Sequence, residues 1–182
     1  MQWNRHKEAK QTIKEIFQRL DRYRIIHYSC QSFNRVENGK STIIAAIAIY
    51  LPQYDRTESF DIQSTAEYLN IEYKDINKNL EKIEKVLLKN FFEFIRKNTD
   101  QKYLHWNMRN SKYGFQALSN RYMALVHQKP EYEIPSDKCI NIAAVLENYY
   151  GVGYVSDPKI KHLIEKNFNV RPGNLLYGEE EA

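Results

Sequence analysis

Apolar positions change their period along this chain, and each change marks an element. Over residues 5–21, Ala9, Ile13, Ile16, Phe17 and Leu20 recur at helical spacing, with Lys7, Lys10, Lys14 and Arg19 opposite. This spacing predicts an amphipathic helix, packed on a neighbour or held ready for a partner chain. Residues 24–33, RIIHYSCQSF, read as a strand, Asn38-Gly39 as a hairpin turn, and residues 41–51, STIIAAIAIYL, as a second strand. The unbroken apolar run in the second strand predicts burial on both faces. After a turn at Asp55-Arg56-Thr57, alternation over residues 58–62 predicts a third strand and so an antiparallel meander.

Helical periods then take over. Ser64-Thr65-Ala66-Glu67 has capping-box spacing and predicts the opening of a short helix. Ile76, Leu80, Ile83, Leu87, Phe91 and Phe94 form one stripe over residues 75–97, the clearest helix of the chain. Residues 103–106 read as a short strand. A helix over 111–127 carries Tyr113, Phe115, Leu118, Tyr122 and Leu125, and 130–135 is a surface loop. Residues 139–150 read as a strand end running into a helix that Gly151 and Gly153 stop. Pro158 suits the first position of a last helix with Ile160, Leu163 and Ile164 on one face. Arg171-Pro172-Gly173 breaks the chain before an acidic tail over 179–181. The order predicts an α/β fold: a mixed sheet, antiparallel meander plus parallel strands, flanked by helices. The division is an N-terminal helix at 1–22, a domain at 23–170 and a tail at 171–182.

Composition narrows the class. With 42% hydrophobic and 27% charged residues, the chain has the balance of a globular domain rather than a disordered one. Its two cysteines, Cys30 and Cys139, form neither a disulfide framework nor a CxxC knuckle, and are expected reduced and buried. No apolar run approaches the ~20 residues that span a bilayer, and the polar start is unlike a secretory signal. The expectation is a cytoplasmic protein with no membrane partner.

A net charge of +4, mostly interleaved, is compatible with nucleic acid. Lys102, Arg109, Lys112 and Arg121 alternate with Trp106, Tyr113 and Tyr122. Charge for phosphates and rings for bases suit a single strand, though a solvated helix face over a packed core would carry the same pattern. His27, His105 and Cys30 form a candidate metal or nucleophilic group. Positions 27 and 30 of one strand point to opposite faces, which favours core histidines instead. Gly39-Lys40-Ser41 lacks the upstream glycine of a phosphate loop, since Asn34 stands there, and Gly151-Val152-Gly153 lacks the third glycine of a dinucleotide fingerprint.

Three local pieces resemble the ribonuclease-H-like superfamily, and within it the 3′–5′ exonucleases with four acidic metal ligands. Ser29-Cys30-Gln31-Ser32 ends the first strand where those enzymes place Asp-x-Glu-Thr. His105-Trp106-Asn107 followed by Tyr113-Gly114-Phe115 and Leu118 resembles their second motif, with Trp106 set between the His and the Asn. Cys139-Ile140-Asn141-Ile142-Ala143 resembles the strand-to-helix step that reads Ile-Asp-Thr. The strings HYSC, HWNM and YGFQAL are also similar to strings of uncharacterised bacterial proteins. The resemblance implies a ribonuclease-H-like sheet and a cleft built around Ser29, Gln31, His105, Asn107, Gly114 and Asn141. Such enzymes hold two divalent ions ~4 Å apart on carboxylates. Here Ser29, Gln31 and Gly114 stand at ligand positions, and after His162 only Glu165 is available. Neutral side chains do not offset repulsion between close dications. The resemblance therefore implies a degenerate module without a cofactor, binding nucleic acid or, through its first helix, a protein partner. An active nuclease using Mg²⁺ or Mn²⁺ would need Asp61, Glu67, Asp137 or Asp157 to converge in one cleft.

Overall fold

A computed structural model describes residues 2–30, 42–109 and 113–169. The elements in chain order are α1 (Gln2–Gln18), β1 (Tyr23–Cys30), β2 (Ile44–Leu51), β3 (Arg56–Asp61), α2 (Ile62–Tyr68), α3 (Leu80–Lys97), β4 (Lys102–His105), α4 (Phe115–Val126), β5 (Cys139–Asn141), α5 (Ile142–Tyr150) and α6 (Lys159–Phe168). The strands form one mixed sheet in the order β3-β2-β1-β4-β5. β1, β2 and β3 are the expected antiparallel meander, while β4 and β5 run parallel to β1. Asn38-Gly39, Gln31, Lys40, Lys112 and the acidic tail lie outside the described residues.

Side-chain alternation decides which face each strand buries. In β1, Ile26, Tyr28 and Cys30 point into the main core, where Ile47, Ile49 and Leu51 of β2 meet them. The α3 stripe closes this core with Leu87, Leu88, Phe91, Phe92 and Ile95, all buried. Among the described residues, helices cover the opposite face over β4, β5 and the start of β1. There α1 and α5 pack, with Ile16 of α1 against Tyr23 and Leu104.

Five expectations change. β2 is not buried on both faces: Ala48 is exposed and Ala46 and Tyr50 are half-buried. Alanine has too little apolar surface to drag a helix over the meander. In α1, Ala9 and Ile16 are buried, but Phe17 is 75% exposed and Leu20 37% exposed. α2 starts at Ile62, earlier than the capping box implies. Asp61 is its cap, accepting from the Ser64 N–H at 2.7 Å and from the Ser64 hydroxyl at 2.9 Å. α3 starts at Leu80, preceded by two short 3₁₀ turns at Tyr73–Asp75 and Asn77–Asn79, and Pro158 caps α6 from outside rather than opening it. No helix among the described residues is long and apolar enough to cross a membrane.

Candidate functional site

The carboxyl ends of parallel strands are where α/β sheets leave a crevice. In this sheet those ends are His105 of β4 and Asn141 of β5, paired neighbours in the register. Immediately after β4 the chain turns through Asn107, which sits in the left-handed region at φ 55°. Non-glycine residues pay for that conformation, and Asn pays least because its short amide bonds locally. Asn141 supplies the bond. Its Oδ1 accepts from the Asn107 N–H at 3.1 Å, and its Nδ2 donates to Asn107 Oδ1 at 3.2 Å. One side chain thus clamps both the backbone and the side chain of the strained residue.

His105 anchors the same turn from below. It is only 5% exposed, its Nδ1 accepts from the Met108 N–H at 3.2 Å, and its ring meets Phe115 edge-on. Burial, and secondarily the positive charge of Arg109, lower its pKa to about 4. The imidazole is therefore neutral at physiological pH and serves as an acceptor. This agrees with the core-histidine reading for His105 but not for His27, which is exposed because it lies on the face of β1 opposite the main core.

The clamped turn delivers Arg109 to the surface. It is exposed, and among the described residues no carboxylate pairs with it. Two hollows meet there. One, of ≈ 480 Å³, is bounded by His105, Phe115, Gln116, Ile134, Cys139 and Asn141. The other, of ≈ 260 Å³, lies on the far side of the turn, against α5 and the start of α6. Cys139 is half-buried rather than buried as expected, and burial and then Asp137 push its thiol up to about 11, which disfavours the thiolate at neutral pH.

The six cleft positions do not form a single group. His105, Asn107 and Asn141 come together. Gly114 packs further along β1, where its N–H donates to the Tyr28 hydroxyl at 2.8 Å. Ser29 lies on the other face of that strand, the face of His27, opposite Ala46. β1 runs on well past the end of β4, which separates Ser29 from the clamped turn. Gln31 is outside the described residues.

The basic–aromatic set divides as well. Arg109 is exposed and Trp106 half-buried at the turn. Tyr113 stacks on Tyr28 at 4.6 Å between centroids, and its hydroxyl donates to the Tyr28 carbonyl at 3.1 Å and lies 3.4 Å from His27 Nδ1. Lys102 starts β4 beside Tyr23, at the opposite end of the strand from the turn. Arg121 corrects the sequence reading most: it is 8% exposed, and its guanidinium grips the fully buried Glu84 at 2.8 and 2.5 Å. It belongs to the core and is not available to a phosphate. Lys112 is outside the described residues.

Asp61 is spent on the α2 cap, and Asp157 lies at the smaller hollow. Among the described residues, no group of three or more His, Cys, Asp or Glu side chains gathers as a metal would require. What sequence reasoning missed is the Asn107–Asn141 clamp and the hollow beyond it. An Asn at each of two strand ends was visible, but not that they would face each other. Comparison with family models, with curated proteins and with solved structures finds no match for this chain.

Proposed function

We propose that this chain is a ribonuclease-H-like, exonuclease-like module that binds single-stranded nucleic acid in the cytoplasm without cleaving it. The fold reading draws on the mixed sheet, a meander followed by two strands parallel to β1, which the sequence resemblance implies. The binding reading is carried by one observation. Arg109 stands exposed on a clamped, left-handed turn, over a hollow at the carboxyl ends of β4 and β5. The clamp steadies the backbone two residues before Arg109, and the planar guanidinium fork matches the phosphate oxygens. Phe115 and Ile134 give the hollow an apolar wall on which a base can rest. The non-catalytic part draws on residue identity. Ser29, Gly114 and Asn141 stand at positions where two-metal chemistry asks for carboxylates.

The test is anisotropy of a labelled single-stranded oligonucleotide, titrated with wild type and with Arg109→Ala across a salt series, with Mn²⁺ and chelator arms. The wild type is expected to bind with a log–log salt slope of about −0.7 per phosphate contact, hence roughly −0.7 to −1.4 for one or two contacts. Arg109→Ala is expected to weaken binding about tenfold. A chelator-sensitive cleavage ladder would replace the binding module by an active nuclease. Absence of salt-dependent binding would end the nucleic-acid reading.

A second reading, a protein partner on α1, is favoured by Trp3 and Phe17, which are 78% and 75% exposed. Loss of a co-purifying chain in a Trp3→Ser/Phe17→Ser variant that still binds oligonucleotide would support it.

A further inference from the structure

The smaller hollow carries chemistry that a nucleic-acid strand does not explain. Its floor is α5, where Ala143 and Ala144 leave room. Arg109, Glu147, Asp157 and Lys159 share its lining. Lys159 Nζ pairs with Glu147 Oε2 at 2.9 Å, so those two charges largely cancel. That leaves a cation, Arg109, and a carboxylate, Asp157, on the lining of one space of ≈ 260 Å³. Neither side chain makes a hydrogen bond or ion pair with another described residue, and Asp157 acts electrostatically on Lys159 and Tyr154.

A second observation points to the same place. The Tyr154 hydroxyl is buried and has no hydrogen-bond partner among the described residues. Its ring lies under Lys159 Nζ, 5.5 Å from the centroid, and Glu147 and Asp157 act on it electrostatically. A buried hydroxyl left without a partner costs on the order of 1–3 kcal/mol and calls for an explanation such as a water or a ligand. Carboxylate and guanidinium line the hollow, and the orphan hydroxyl belongs to Tyr154, whose ring lies against the lining residue Lys159.

We infer that this hollow binds a small phosphate monoester bearing free hydroxyls, such as a pentose phosphate, with Arg109 holding the phosphate and Asp157 and Glu147 accepting from the hydroxyls. The polarity follows from charge. Arg109 attracts the phosphate oxygens in bidentate fashion. With Glu147 neutralised by Lys159, the Asp157 carboxylate disfavours a second phosphate and favours O–H donors. A polyphosphate or a continuing nucleic-acid strand would have to run one of its phosphates past Asp157. This inference does not require that the larger hollow bind nucleic acid.

Calorimetric titration of the full chain with ribose 5-phosphate, inorganic phosphate and ribose tests it, beside oligonucleotide anisotropy on the same samples. Ribose 5-phosphate is expected to bind at least about tenfold tighter than either fragment, in the range below about 1 mM. Arg109→Ala should weaken it about tenfold or more, with Arg109→Lys between the two, because lysine keeps the charge without the fork. Asp157→Ala should weaken ribose 5-phosphate while leaving inorganic phosphate and oligonucleotide binding unchanged, with an unaltered melting curve showing that the variant folds. Ribose 5-phosphate binding no tighter than phosphate alone, or indifference to Arg109→Ala, would overturn the inference. Oligonucleotide binding lost in the wild type with ribose 5-phosphate binding intact would sink only the nucleic-acid reading.

Discussion

His105 shows how one buried side chain ties this protein's stability to pH. Its Nδ1 accepts from the Met108 N–H, a role open only to the neutral ring. The unfolded chain takes up the proton below about pH 6.5, whereas the folded chain resists it until about 4. Stability from this residue is therefore complete above pH 6.5 and is lost as pH falls towards 4, by up to roughly 3 kcal/mol. Urea unfolding of wild type and His105→Gln at several pH values should show the wild type declining through that window and the variant declining less; parallel curves would sink the assignment. Arg109 and Arg121 make the complementary point. Both sit among aromatic residues in the sequence, yet one is exposed and the other is locked onto Glu84, 37 positions away. The burial of a charge is decided by its partner, and that partner lies on another helix.

At the scale of elements, the turn after β4 depends on β5. Asn141 spends its amide on both the N–H and the side chain of Asn107. Asn141→Ala removes two hydrogen bonds and leaves a left-handed Asn without support, which should cost about 1–3 kcal/mol. It should also weaken oligonucleotide binding several-fold, through the freed Arg109 turn rather than through any contact of its own. Asn107→Gly tolerates the backbone conformation and should lose less of both. Chemical denaturation beside anisotropy separates the two effects; equal losses in both variants would show that the clamp has no positioning role. The periodic stripe of α3 was plain in the sequence, because seven of its side chains are buried along one face. The start of α2 was not, because the competing cap, Asp61, is also the last residue of β3. Both signals are local, and strand pairing to Ala46 chose between them.

For the whole molecule, the Glu84–Arg121 pair joins three elements. Glu84 belongs to α3 and Arg121 to α4, and Glu84 Oε1 also accepts from the N–H of Ile44 at the head of β2, at 2.7 Å. Arg121→Met alone should cost about 3–5 kcal/mol by stranding a buried carboxylate. The double change Glu84→Gln/Arg121→Met should recover much of that loss. A midpoint for Arg121→Met close to that of wild type, read by urea unfolding, would contradict this role. By itself, the sequence determined the α/β class, the meander with parallel strands after it, and most helix spans. Period and turn chemistry are properties of neighbouring residues, and they survive whatever the rest of the chain does. Tertiary structure alone decided that β2 buries one face, that Phe17 faces solvent and Arg121 does not, and that Ser29 stands apart from Asn107 and Asn141. It also decided that Arg109, Glu147 and Asp157 share a hollow. Each of these outcomes depends on which elements meet across the sheet, and no spacing within one segment encodes that.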